Sequence, residues 1–152
     1  RVERQVDAET PACWVDSKRI GQVVRNLLAN AIKFTPDGGL ILMCLSRTRM
    51  NVGRRLGERL DVPAVELIVR DSGPGIPADE LEDVFDKFVQ SSQNPAAAGG
   101  TGLGLAICKA IVHAHRGQIY ARNHEAGGAE IVVRVPVTQA VSVSRDEISA
   151  QG

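Results

Sequence analysis

The sequence predicts an α+β fold, a two-layer sandwich with helices laid on one face of a sheet. Strand-length apolar runs and helical apolar stripes come in blocks, not in strict alternation, which disfavours a doubly wound sheet. The chain has 152 residues, of which 43% are hydrophobic, enough for one core and about one domain. Glycine- and proline-rich turns punctuate the blocks, and no internal repeat is present.

Residues 2–6 and 12–15 read as the first two strands. Asp16 then offers a helix N-cap. Ile20, Val23, Val24, Leu27, Leu28, Ala31 and Ile32 follow at the spacing of a helix packed on a core. Thr35-Pro36-Asp37-Gly38-Gly39 is a turn by composition. Residues 40–46 and 65–70 are apolar runs of strand length. The intervening residues 47–63 carry arginines at 47, 49, 54, 55 and 59. A long solvated hairpin loop is expected there, with a partner-docking patch as the alternative.

Asp71–Pro77 is turn-rich, and residues 78–85 form a short acidic helix in this reading. Residues 89–101 are rich in alanine and glycine and have no periodicity. A second long helix is expected over 103–115, with Gly117 as its C-cap. Strands over 118–122 and 130–137 complete the order. Residues 1–137 are therefore expected to be the domain, and residues 138–152 a linker or frayed tail. The chain starts at Arg1 and not at Met, so it reads as a piece of something longer.

Composition excludes several classes. Lys plus Arg total 18 and Asp plus Glu total 18, so no net field draws in nucleic acid or an anionic membrane. Three Phe, one Trp and one Tyr are too few for a base-stacking platform. The longest apolar run, residues 40–45, is far short of the ~20 residues that span a bilayer. Nucleic-acid partners and direct membrane contact are not expected. Cys13, Cys44 and Cys108 are widely spaced in apolar segments. They fit buried free thiols better than a disulfide or metal framework, and the cytoplasm is the expected compartment.

Three clusters carry chemistry. Asn26, Asn30 and Lys33 recur at helical spacing, within a wedge of roughly 60° at ~100° per residue. Asparagine is a poor interior helix former. An exposed polar face explains the triplet, but an amide oxygen can also ligate a hard cation, and an ammonium can meet the phosphates that cation carries. Asp71-Ser72-Gly73-Pro74-Gly75-Ile76-Pro77 follows a buried-looking strand. Its glycines permit close backbone approach to a flat ligand. An ionised Asp, an acceptor only, can select an exocyclic amine such as that of adenine. A plain Pro-Gly turn is the alternative.

Gly99-Gly100-Thr101-Gly102-Leu103-Gly104-Leu105 runs straight into the second helix. Free N–H groups and the positive dipole end there suit an anion. No Gly-Lys-Ser/Thr follows, the spacing is not that of a dinucleotide fold, and the protein-kinase sequences are missing. A phosphate cradle of another type remains.

In this order and spacing, the clusters resemble the ATP-binding catalytic domain of sensor histidine kinases, within the superfamily that includes gyrase-type ATPases. Residues 16–36 look like the family's N box, and residues 71–75 like its first glycine box. Residues 85–88, ending at Phe88, look like its phenylalanine box, and residues 100–105 like its second glycine box. The resemblance implies the Bergerat ATP-binding fold, about five mixed strands under three helices. It implies ATP and Mg²⁺ as cofactors, with Asn30 as the metal ligand and Asn30 and Lys33 as the catalytic pair. Asn26 and Lys33 would lie along the phosphates, and Phe34 on the adenine side. Asp71 would accept the adenine amine, and Gly73, Gly75 and Ile76 would form the base pocket. Thr101, Gly102, Leu103, Gly104 and Leu105 would cover the phosphates, and residues 89–101 would be the mobile lid.

The implied function is donation of the γ-phosphoryl group to a histidine on a separate dimerisation segment, then to a response regulator receiver domain. This chain departs from the family in two places. Residues 89–101 hold no basic residue, which leaves the charge to Lys33 and Lys87, and Ala129 stands where Thr or Ser is usual. His113, His115 and His124 are in the wrong context for a phosphoacceptor, so surface or structural roles are expected. A gyrase-type hydrolase is disfavoured because Asn26 occupies the position of its general base, and an amide cannot take the proton. A serine kinase acting on a partner protein would share the same pocket, and a degenerate nucleotide-binding or docking module is the non-enzymatic alternative.

Overall fold

A strand cannot satisfy its own backbone, and five extended stretches of this chain solve that together. The computed structural model describes residues 1–53, 57–87 and 102–138. Strands β1 (Val2–Val6), β2 (Ile41–Val52), β3 (Leu60–Arg70), β4 (Gln118–Asn123) and β5 (Ala129–Pro136) form one sheet in the order β1-β2-β3-β5-β4. β1 runs parallel to β2 and the other neighbours are antiparallel, so the sheet is mixed. Helices α1 (Ser17–Phe34) and α2 (Gly104–Ala114) cover one face. The α+β sandwich expected from the element pattern is the fold observed.

α1 starts where the sequence says, with Asp16 Oδ1 accepting from the Arg19 N–H at 3.1 Å. Its predicted stripe narrows to Val23, Leu27 and Ala31 in the core, Ile20 and Leu28 pack partly, and Ile32 is exposed. α2 contributes Cys108, Ile111 and Val112 to the same core. From the sheet, Ile41, Val69, Ile131, Val133 and Val135 face them. Alternation along paired strands puts these residues on one side.

Four local expectations are corrected. Residues 12–15 form no strand. Pro11 lacks a donor, Asp16 already caps a helix, and among the described residues the main chain of the segment makes only the Trp14 N–H to Val137 carbonyl bond, 3.0 Å. Most of residues 47–63 is strand and not loop, because β2 and β3 pair continuously from Leu42 opposite Arg70 to Val52 opposite Leu60. Arg47 and Arg49 sit on β2 and are paired with Glu9 and Asp61, both at 2.6 Å. Residues 78–85 make two 3₁₀ turns, Ala78–Glu80 and Asp83–Phe85, and not one helix. With a buried Val84 and Phe85 and no side-chain cap, this stretch is too short to repay a full helical nucleus.

At the end of α2 the left-handed residue is Arg116, φ 56°, and not Gly117. Gly117 is needed for a different reason, since a Cβ there would fall 2.4 Å from the Arg134 carbonyl oxygen. Of the predicted tail, only Thr138 lies among the described residues.

The sheet face away from the helices is covered by charged arms. Arg134 pairs with Glu66 at 2.7 Å and lies over the Tyr120 ring, and Arg122 pairs with Glu130 at 2.6 Å. Glu130, itself buried, holds the Arg122 guanidinium above its ordinary range through that hydrogen bond. Among the described residues no helix is long and apolar enough to cross a membrane.

Candidate functional site

β3 delivers Asp71 at its end, and the neighbouring hairpin holds it there. The Asp71 N–H donates to the Ala129 carbonyl at 3.0 Å. Asp71 Oδ1 accepts from the Gly73 N–H at 2.9 Å and from the Ala129 N–H at 3.1 Å. One carboxylate oxygen is thus committed to main-chain donors, while Oδ2 makes no hydrogen bond among the described residues. The arrangement fixes the side chain and presents an acceptor.

The glycines beside it are demanded by close approach. A Cβ on Gly73 would fall 2.4 Å from the Phe34 carbonyl oxygen, so the end of α1 lies directly against this loop. Ser72 Oγ accepts from the Leu40 N–H at 2.8 Å and ties the α1 exit to the same place. Gly75 has φ +80°, a conformation that L side chains rarely adopt. Ile76 is half-buried and packs on the core.

On α1, Asn26 and Asn30 are half-buried and Lys33 is exposed. Asn26 Nδ2 donates to the Gly104 carbonyl at 3.3 Å, which joins α1 to the start of α2. Lys33 Nζ lies 5.6 Å from the Phe34 ring centroid, in the last helical turn where a cation suits the dipole.

At the start of α2, Gly102 has φ +70° and Leu103 holds the N-cap position with no side-chain acceptor. No acidic residue occupies the first turn of α2. Its leading N–H groups therefore keep their capacity for an anion, unlike those of α1, which Asp16 caps. Leu105 packs on the core. Behind it, burial pushes the Cys108 thiol up to about 11, with the Asn26 amide pulling slightly the other way.

The sequence-predicted residues are thus drawn together by two junctions, Asn26 with Gly104 and Phe34 with Gly73. Thr101, Phe88 and the lid over residues 89–101 lie outside the described residues. Phe85 is a core residue. Sequence reasoning missed Asn123, Gly128 and the main chain of Ala129. Gly128 has φ +85°, and a Cβ on it would fall 1.9 Å from the Asp71 carbonyl oxygen. The Gly127-Gly128 pair between two strands was its only signal. His115 is structural, as expected. It is buried, its Nδ1 is 2.8 Å from the Ile111 carbonyl, and its Nε2 accepts from the Asp16 N–H at 3.1 Å. No metal-binding cluster of His, Cys, Asp or Glu exists among the described residues. A purine nucleotide nevertheless suits the site, which joins a carboxylate oxygen with no partner among the described residues, glycines where a side chain would intrude, and a helix start with no side-chain cap.

The chain matches the family described as histidine kinase-, DNA gyrase B-, and HSP90-like ATPase over residues 15–139. It is 34% identical over 148 residues to the adaptive-response sensory kinase SasA of Synechococcus sp. (strain CC9311), covering 97% of this chain and 35% of that protein. It is 42% identical over 137 residues to the sensor histidine kinase TmoS of Ectopseudomonas mendocina, covering 87% of this chain and 13% of the relative. The chain thus spans about a third of the first relative and far less of the second.

Among solved structures, the mycobacterial sensor histidine kinase MprB superposes with a TM-score of 0.68 at 32% identity, over 89% of this chain and 80% of that one. Full-length ShkA in complex with AMPPNP gives a TM-score of 0.64 at 28% identity, over 91% and 26%. Fold, motifs and relatives agree, and the chain belongs to the histidine kinase-, DNA gyrase B-, and HSP90-like ATPases as an ATP-binding catalytic domain of the sensor histidine kinase type.

Proposed function

We propose that this chain binds Mg-ATP and supplies its γ-phosphoryl group to a histidine nitrogen on a separate dimerisation segment, from which a response regulator receiver domain takes it. The observation that carries the reading is the junction of three sequence-distant motifs. Asn26 touches Gly104, Phe34 touches Gly73, and Asp71 is held with one oxygen free of protein partners among the described residues. The complex of the relative ShkA with a nucleotide analogue supports the same ligand class.

In this reading Asp71 Oδ2 accepts from the adenine amine, and Gly73, Gly75, Ile76 and Phe34 enclose the base. Asn26 and Lys33 lie along the phosphates, and Gly102 through Leu105, with Thr101, close over them at the start of α2. Asn30 would hold Mg²⁺ through its amide oxygen, and the ion would neutralise phosphate charge. Transfer breaks the bond between the γ-phosphorus and the oxygen retained by ADP and forms a phosphorus–nitrogen bond to histidine. Catalysis then rests on positioning and charge neutralisation. We further read residues 1–137 as the domain and residues 138–152 as a linker or tail.

Calorimetric titration with ATP and Mg²⁺ tests the site. Asp71→Asn should weaken ATP binding by ten-fold or more, since a charge-assisted hydrogen bond contributes ~1.5–3 kcal/mol. Asn30→Ala should abolish Mg²⁺-dependent transfer to an added histidine-bearing segment. Unchanged binding in the first variant, or near-wild-type transfer in the second, removes the corresponding role.

A further inference from the structure

Asn123 ends β4 and stands opposite Ala129 in the β4–β5 ladder. Its side chain makes two hydrogen bonds to one residue of the first glycine loop. Oδ1 accepts from the Ile76 N–H at 2.8 Å, and Nδ2 donates to the Ile76 carbonyl at 2.6 Å. A main-chain N–H can only donate and a carbonyl can only accept, so one amide orientation satisfies both. The side chain acts as a one-residue strand partner for Ile76. The same amide crowds Gly75, where a Cβ would fall 2.9 Å from Asn123 Oδ1.

The other end of the loop is held by Ala129, through Asp71 Oδ1 and the Asp71 N–H. Asn123 and Ala129 are register partners. One rung of the hairpin therefore grips the loop at Asp71 and at Ile76, and the separation of those two residues is fixed by a β-ladder and not by the loop itself.

We infer that Asn123 is a positioning residue for nucleotide-base recognition, setting the Ile76 wall of the pocket at its distance from the Asp71 acceptor. The inference rests on the proposed ATP site and adds a determinant of base selectivity. Asn123 does not touch the base, and it acts through Ile76. It is exposed, so its truncation leaves the core intact.

Equilibrium binding of ATP, GTP and inorganic tripolyphosphate to the whole chain, with and without Asn123→Ala, reads this out. Asn123→Ala should weaken ATP about ten-fold, the effect of one or two exposed hydrogen bonds on a bound state. The preference for ATP over GTP should shrink by a similar factor, while tripolyphosphate affinity stays unchanged. Asn123→Asp keeps the acceptor for the Ile76 N–H but sets an oxygen against the Ile76 carbonyl, and should lose the same preference. An unaltered ATP-to-GTP ratio in both variants overturns the inference, as does an equal loss of all three ligands with a lowered melting temperature. If the wild-type chain binds no ATP, the proposed function falls and takes this inference with it.

Discussion

Asp71 shows what a single residue needs in order to recognise a ligand. Two main-chain donors on one oxygen hold the carboxylate still, and the acceptor is then ready before any ligand arrives. Pre-organisation of this kind reduces the ordering that binding must otherwise impose. Gly128 is its hidden support. Gly128→Ala would force a Cβ to 1.9 Å from the Asp71 carbonyl oxygen at φ +85°. A loss of about 3 kcal/mol or more of stability is expected, read as a lower urea midpoint with the slope unchanged. At this scale the sequence displayed Asp71, Gly73 and Gly75 because their chemistry is local. It did not display Asn123 or Gly128, whose partners lie in the loop that follows β3, 47 residues away for the Asn123–Ile76 pair. An asparagine at a strand end looks like any turn residue until the strand opposite is known.

At the level of elements, the two long helices and the edge strands β1 and β4 were legible, and the full length of the inner strands β2 and β3 was not. α1 announced itself by an apolar stripe and a capping Asp16, and both are in place. β2 and β3 extend well beyond the apolar runs that revealed them, because pairing with each other suffices where no helix covers them. The alternation Thr48, Arg49, Met50 records that extension, with Met50 buried and Arg49 exposed. The two helices are also linked by an imidazole. His115, near the end of α2, receives the Asp16 N–H at the start of α1 while bonding the Ile111 carbonyl. His115→Phe fills the volume but leaves the Asp16 N–H without its acceptor, while the Ile111 carbonyl keeps the main-chain N–H of residue 115. It should lower stability by ~1–3 kcal/mol and accelerate hydrogen exchange at the Asp16 amide. Wild-type exchange at that amide would show that the imidazole is not its partner.

For the whole molecule, the core itself is a pH-sensitive body. An unfolded thiol ionises near 9.0, and Cys108 in the native core only near 11. Between those values unfolding releases a proton that the native state keeps, so stability falls as pH rises through the window. Urea midpoints at pH 8 and pH 10 should diverge in the wild type, and by less in Cys108→Ala. Equal declines in the two proteins would place the effect elsewhere. The overall sandwich was readable from the grouping of strands and helices, since burial requires each apolar face to find another layer. Sheet order was not, because β5 inserts between β3 and β4 and no local signal records that crossing.

The uncovered side of the sheet has one more implication. Val132 is fully buried there although no helix lies above it. Its ladder partner Tyr120 lies beneath Arg134, and Arg122 and Arg134 pair with Glu130 and Glu66 on the same face. The carboxylates of these pairs are only 10% and 16% exposed, so losing either arginine would leave a largely buried charge uncompensated. Stripping those arms would bare a greasy strip next to an unprotected strand border, and the molecule would tend to stick to its own copies long before it came apart.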